Sequence, residues 1–173
     1  MPEIYFDNGA TTRVFPEVKE IMSEVLDIEY GNPSSMHLKG YHAEQYVNRA
    51  KEEIARSLKV EPKEIYFTSG GTEANNLALI GTAMAHKRTG KHIITTCIEH
   101  ASVYNPLGFL EEEGFEVTYL PVDEKGIVSL EALQEALRPD TFLVSVMCVN
   151  NEIGAVEPSA ESGRIVKKYD PEI

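Results

Sequence analysis

Residues 67–76 read Phe67-Thr68-Ser69-Gly70-Gly71-Thr72-Glu73-Ala74-Asn75-Asn76, and they stand where an apolar run gives way to a helical pattern. The two adjacent glycines let the backbone turn sharply, because neither has a Cβ. Thr72 or Ser69 can then cap the helix that follows. Free N–H groups, the positive end of the helix dipole and two hydroxyls meet at this turn, which favours a bound phosphate. An ordinary Gly-Gly turn is the alternative.

The spacing of these glycines differs from that of the two common nucleotide-binding motifs. It is not the dinucleotide pattern G-x-G-x-x-G, and no lysine follows the glycines as it does in a P-loop. A phosphate held without that lysine indicates a phosphorylated cofactor rather than a nucleoside triphosphate. A nucleotide-binding α/β domain is therefore the weaker interpretation.

Composition narrows the class of protein and of partner. A chain of 173 residues, 42% of them hydrophobic, can bury one compact core. A net charge of −12 and a pI near 4.8 disfavour nucleic acid and anionic membranes as partners. We expect no membrane span and no signal segment. Cys97 and Cys148 form no C-x-x-C pair, so neither a disulfide framework nor a metal site is expected, and a reduced cytoplasmic location is the default.

Strand and helix patterns alternate along the chain. Strands are predicted at 64–68, 92–96, 115–120 and 141–149, and helices from residue 16, over 43–58, and at about 73–88, 101–113 and 129–137. This alternation predicts an α/β fold with a mostly parallel sheet flanked by helices. The strand at 141–149 is apolar on both faces, as expected for a central strand.

Three polar clusters follow predicted strands, at the edge where open parallel sheets bind ligands. They are the glycine turn, His100 and the segment Asn150-Asn151-Glu152-Ile153-Gly154. Taken singly, His100 can be a solvated or capping residue, and Asn151 can be part of a plain turn. Taken together, they favour a site in which the imidazole stacks on an aromatic cofactor and the carboxamide hydrogen-bonds a ring oxygen.

Four motifs together resemble the pyridoxal-phosphate-dependent cysteine desulfurases, which belong to the class V aminotransferase group of fold-type I enzymes. The motifs are Tyr5-Phe6-Asp7-Asn8-Gly9-Ala10-Thr11-Thr12, Gly31-Asn32-Pro33-Ser34-Ser35, Phe67-Thr68-Ser69-Gly70-Gly71-Thr72-Glu73 and Val149-Asn150-Asn151-Glu152-Ile153-Gly154. They occur in the family's order and spacing along essentially the whole chain. The resemblance implies an incomplete cofactor-binding large domain over residues 16–173, preceded by a segment, 1–15, that packs near the active site.

The resemblance also implies roles for individual residues. The positions matching Gly71 and Thr72 hold the phosphate of pyridoxal 5′-phosphate in the family. The residue matching His100 stacks on the pyridine ring, and the one matching Asn151 hydrogen-bonds the phenolic oxygen. Three residues of the two N-terminal motifs are expected near the substrate, namely Asn8, Ala10 and Asn32.

The chain also departs from the family pattern. Members are roughly twice as long, and the lysine that carries the cofactor and the catalytic cysteine have no counterpart within residues 1–173. His86-Lys87 reads as the polar end of a helix, and Cys97 and Cys148 read as small core residues. We therefore expect no catalytic residue here and no activity from the chain alone.

The function implied is that of the N-terminal half of a desulfurase, split, cleaved or truncated. Such an enzyme takes L-cysteine, releases alanine and forms an enzyme persulfide for the assembly of iron–sulfur clusters or other sulfur-containing cofactors. The partners implied are a second copy in a homodimer, a complementing C-terminal half, and a sulfur-acceptor protein. The alternative is a non-catalytic module that binds the cofactor or another protein.

Overall fold

The computed structural model describes residues 3–173, so the first two residues of the predicted 1–15 segment lie outside the described residues. The chain divides into two compact units, one ending at Phe67 and one spanning Thr68–Ile173. Among residues 3–173, none of the helices combines the length and apolar character that a bilayer span requires.

The first unit is helical. Its elements are α1 (Pro16–Asp27), α2 (Leu38–Leu58) and a short 3-10 turn (Pro62–Glu64). Helix α1 begins with a proline, which suits the first helical position because no backbone N–H is needed there. His37 caps α2 by accepting the Gly40 N–H at 3.2 Å. A Cβ on Gly40 would lie 2.1 Å from the Ser35 carbonyl oxygen, so only glycine lets this loop approach the helix so closely.

The second unit is an α/β layer structure, which confirms the predicted fold class. Its elements are α3 (Gly71–His86), β1 (His92–Thr96), α4 (Ala101–Glu112), β2 (Glu116–Leu120), α5 (Leu130–Ala136), β3 (Thr141–Ser145) and α6 (Ser159–Tyr169). The strands are all parallel, in the order β2-β1-β3. The central strand β1 is buried along its entire length.

Each face of the sheet is covered by its own pair of helices. Because alternate side chains of a strand point to opposite faces, Ile93 and Ile94 belong to different cores. The first core joins Ile93 to α3 and α4 through Leu79, Ala83, Val103, Leu107, Leu110, Phe115 and Phe142. The second joins Ile94 to α5 and α6 through Leu120, Val128, Leu133, Leu137 and Val166.

Two of the four predicted strands differ from the structure. The strand predicted at 64–68 is wrong, because this segment begins in a 3-10 turn and pairs with no strand within residues 3–173. The strand predicted at 141–149 ends at Ser145 and lies beside β1 rather than at the centre. It ends early because the Met147 N–H donates to the Glu99 carboxylate instead of continuing the ladder. Helix α6 was not predicted, although Ile165, Val166 and Tyr169 have helical spacing.

Gly90 provides a test of the packing between the end of α3 and the sheet. A Cβ at this position would lie 2.4 Å from the carbonyl oxygen of Asp140, an oxygen that also accepts the His92 N–H at 3.1 Å. We therefore expect Gly90→Ala to lower the free energy of unfolding by about 1–3 kcal/mol, measured by urea denaturation, since backbone must move to admit the methyl group.

The matched control is Gly81→Ala in the interior of α3, where a Cβ would meet nothing within 4 Å. This substitution should raise the free energy of unfolding by about 0.5–1 kcal/mol, because alanine loses less backbone entropy than glycine in a helix. Equal effects of the two substitutions would contradict the close approach at Gly90.

Candidate functional site

The N-terminus of α3 presents unused hydrogen-bond donors. Gly70 is the N-cap residue in an extended conformation, and Gly71 and Thr72 are the first two residues of the helix. Counting from Gly70, the first backbone N–H that donates to the protein is that of Ala74, which donates to the Gly70 carbonyl at 3.1 Å. A Cβ at Gly70 or Gly71 would meet nothing within 4 Å, so the space before these donors is open.

The predicted capping by Ser69 or Thr72 is wrong, since the N-cap Gly70 has no side chain and no side-chain cap is present. Ser69 instead donates its N–H and its hydroxyl to Oε2 of Glu73, each at 2.6 Å. These two bonds lower the pKa of Glu73. Within residues 3–173 the Thr72 hydroxyl has no hydrogen-bond partner, so it is available to a ligand.

His100 is the N-cap of α4, as the capping interpretation predicted. Its Nδ1 accepts the Ser102 N–H at 3.0 Å and lies 2.9 Å from the Ser102 hydroxyl. Asn75, from α3, donates its Nδ2 to the same hydroxyl at 2.8 Å. The imidazole remains exposed, so capping at one nitrogen leaves the rest of the ring accessible.

The two asparagines that follow β3 have different environments. Asn150 is buried, and its Nδ2 donates to the Ile98 carbonyl at 3.1 Å while its Oδ1 accepts the N–H groups of Glu152 and Ile153 at 2.9 and 3.0 Å. Asn151 is exposed, and its side chain makes no hydrogen bond to the part of the chain that the structure describes. Asn150 therefore shapes the loop, and Asn151 is free to contact a ligand.

Glu99 is a site residue that the sequence reasoning missed. Its Oε1 accepts the Met147 N–H at 2.8 Å and the Thr96 hydroxyl at 2.9 Å. Burial raises the pKa of this carboxyl group, and the two hydrogen bonds oppose the rise. Together with the bond from Asn150 to Ile98, Glu99 ties the loop after β1 to the segment after β3. The available signal was an acidic residue directly before a histidine at a strand end.

Two adjoining clefts meet at His100 and Ala101. One, of about 460 Å³, lies between α3 and α4, and its lining is Thr72, Asn76, Ile80, His100, Ala101, Ser102, Asn105, Pro106 and Phe109. The other, of about 450 Å³, is lined by Ile98, Glu99, His100, Ala101, Asn150, Asn151, Glu152 and Ile153. The structure thus brings Thr72, His100 and Asn151 to one continuous surface, with Gly71 next to Thr72 in the chain.

The residues expected near a substrate lie in turns of the first unit. The Asn8 Nδ2 donates to the Tyr5 carbonyl at 3.3 Å, and the Ala10 N–H donates to the Asp7 carbonyl at 3.1 Å. The Oδ1 of Asn32 accepts the Ser34 N–H at 2.9 Å. All three residues are exposed, and their contact with a substrate stays a prediction.

The interpretation of the two cysteines as core residues is wrong. Both Cys97 and Cys148 are exposed, and both follow the ends of their strands instead of lying inside them. The strand pattern around Cys97 and the apolar run around Cys148 continue past the residues where strand pairing ends. His86 and Lys87 lie at the end of α3, as predicted. Within residues 3–173, no group of three or more histidine, cysteine, aspartate or glutamate side chains could hold a metal ion.

Known proteins are similar to this chain over nearly its whole length, in sequence and in structure. The cysteine desulfurase IscS of Dictyoglomus turgidum is 49% identical over 168 residues, which are 97% of this chain and 43% of that protein. The mitochondrial cysteine desulfurase of Arabidopsis thaliana is 50% identical over 168 residues, 96% of this chain and 37% of that one. A solved structure of a NifS-like protein superposes with a TM-score of 0.94 at 44% identity, covering 98% of this chain and 46% of that one.

The chain therefore spans less than half the length of the curated relatives it matches. The predicted resemblance to the cysteine desulfurases is confirmed. The sequence model of the family described as aminotransferase class-V matches residues 4–171 of the chain. Because this match covers nearly the whole sequence, the chain belongs to the aminotransferase class-V family.

Proposed function

We propose that this chain supplies the cofactor-binding N-terminal half of a pyridoxal-phosphate-dependent cysteine desulfurase. One observation carries the proposal, namely that Thr72, His100 and Asn151 border two adjoining clefts that share His100. The three side chains come from three separate loops or helix ends. Their chemistry matches an anionic group, a flat ring and a polar ring substituent respectively.

The N-terminus of α3 fits the phosphate of the cofactor. Open space lies in front of Gly70 and Gly71, and the helix dipole and the free N–H groups of its first turn favour an anion. The Thr72 hydroxyl adds one more donor. The negative charge of the nearby Glu73 carboxylate is partly offset, because the carboxylate accepts two hydrogen bonds from Ser69.

His100 and Asn151 fit the ring of the cofactor. The exposed imidazole offers a flat surface, and the Asn151 carboxamide offers a neutral donor to an oxygen on the ring. Pyridoxal phosphate, when bound, supplies an electron sink for bond breaking at the α-carbon of an amino acid. The role of this chain is to hold and orient that group, and Glu99 and Asn150 keep the two loops in place.

Similarity to cysteine desulfurases bears on the substrate and the product. We infer that the complete enzyme takes L-cysteine, releases alanine and leaves a persulfide on a cysteine outside this chain, for the assembly of iron–sulfur clusters or other sulfur-containing cofactors. Similarity to proteins named cysteine desulfurase supports this inference. A non-catalytic cofactor-binding or interaction module remains the second candidate, because neither cleft is lined by a lysine or a cysteine.

We further propose that the chain works in association, as a homodimer or with a complementing C-terminal half, and passes sulfur to an acceptor protein. Exposed apolar side chains of α1 support association. Val18, Ile21, Met22 and Leu26 are 47%, 51%, 53% and 74% exposed, although their spacing forms one apolar stripe. The cytoplasmic location expected from the sequence stays a prediction.

Removal of the Thr72 hydroxyl tests the phosphate contact. We expect Thr72→Val to weaken binding of 4-deoxypyridoxine 5′-phosphate, which has no aldehyde and so cannot react with lysines. A hydrogen bond to a charged group contributes about 1.5–3 kcal/mol, so the dissociation constant should rise by about 10- to 150-fold in a fluorescence titration.

Two controls accompany this titration. Thr82→Val removes a hydroxyl from α3 at a position that lines neither cleft, and it should leave affinity unchanged. Binding of 4-deoxypyridoxine without the phosphate should be equally weak in the wild type and in Thr72→Val. Unchanged affinity of Thr72→Val for the phosphorylated compound would mean that the glycine turn has only a structural role.

A second prediction concerns catalysis by the 173-residue chain. With pyridoxal phosphate and L-cysteine it should release no sulfide, and borohydride reduction followed by peptide mapping should label no single lysine stoichiometrically. The reason is that none of the residues lining the two clefts is a lysine or a cysteine. The IscS protein of Dictyoglomus turgidum, assayed in parallel, serves as the active control. One fully labelled lysine together with sulfide release would disprove the assignment of the site.

A further inference from the structure

We propose that Asn75 and Ser102 are positioning residues that set the tautomer and the orientation of the His100 ring. This inference rests on the proposed function, because it concerns the residue assigned to the cofactor ring. The proposed function assigns no contact with the cofactor to Asn75 or Ser102. These two residues act on the site only through their hydrogen bonds, which lead to the His100 ring.

The hydrogen bonds run in one direction, from α3 to α4. An amide NH₂ group can only donate, so the Ser102 hydroxyl accepts from Asn75 Nδ2 at 2.8 Å. The hydroxyl proton is then free to point at His100 Nδ1, which lies 2.9 Å away. The Ser102 backbone N–H donates to the same nitrogen at 3.0 Å.

Two donors converging on one ring nitrogen decide the tautomer. Nδ1 must be the nitrogen without a proton, so the proton resides on Nε2. Within residues 3–173, Nε2 has no hydrogen-bond partner. His100 therefore offers a single N–H donor to a molecule in the clefts, and it keeps its acceptor nitrogen occupied by α4.

Burial makes this arrangement more rigid than a surface contact. Ser102 is only 9% exposed, and Asn75 is partly buried, so water is poorly placed to substitute for either partner. The His100 ring is hydrogen-bonded at Nδ1 and exposed elsewhere. These hydrogen bonds restrict rotation of the imidazole and leave its face accessible, as stacking on a ligand requires.

Nuclear magnetic resonance of the ¹⁵N-histidine-labelled chain without ligand tests the inference directly. Long-range ¹H–¹⁵N spectra at neutral pH report which ring nitrogen carries the proton. We expect the Nε2–H form to predominate for wild-type His100. Ser102→Ala and Asn75→Ala should lower the ratio of Nε2–H to Nδ1–H rings by about two- to tenfold, the effect of one neutral hydrogen bond.

Ser102→Thr is the conservative variant, because it retains the hydroxyl, and it should keep the wild-type ratio. Far-UV circular dichroism checks that each variant is folded. If Ser102 had only a structural role, the tautomer ratio would not be kept in Ser102→Thr and lowered in Ser102→Ala. Wild-type ¹⁵N shifts in Ser102→Ala and Asn75→Ala would overturn the proposal. Because this experiment contains no cofactor, its result is independent of the titration with Thr72→Val, which tests the proposed function.

Discussion

The complete burial of β1 is the constraint on which the second unit depends. This strand, His92–Thr96, pairs in parallel with a neighbour on each side and is covered by helices on both faces. Even its polar first residue is satisfied, since the His92 ring nitrogens lie 2.7 Å from the Thr141 hydroxyl and 2.8 Å from the Thr118 hydroxyl. In open parallel sheets ligands bind beyond the carboxyl ends of the strands, which is where the loop that contains His100 follows β1.

Buried and half-buried residues beside the exposed ones hold the loops at that edge in place. Glu99 and Asn150 join the loops that follow β1 and β3, while Ser102 joins α4 to the ring of His100. The side chains available to a ligand, on His100 and Asn151, are neighbours in sequence of these anchoring residues. Anchoring residues and ligand-facing residues therefore lie next to each other in both loops.

The sequence was sufficient for features that depend on local chemistry. Helix and strand patterns predicted the fold class, and the polar residues after β1 and β3 predicted that His100 and Asn151 lie near each other. Thr72 also borders this edge, although the strand expected before it is absent from residues 3–173. Features that depend on distant partners were missed or misread. The segment 64–68 has a strand-like pattern but no strand to pair with among residues 3–173. Glu99 acts through the backbone of Met147, 48 residues away, which no local pattern reveals.

The central claim is that one cofactor contacts the α3 N-terminus, His100 and the loop after β3 at the same time. Backbone amide shifts of the ¹⁵N-labelled chain, titrated with 4-deoxypyridoxine 5′-phosphate, test it most directly. We predict that the largest shift changes occur together at Gly71, Thr72, His100 and Asn151 and follow a single binding curve. Changes centred elsewhere, for example on the groove between α5 and α6 at Leu137 and Ile165, would contradict the account.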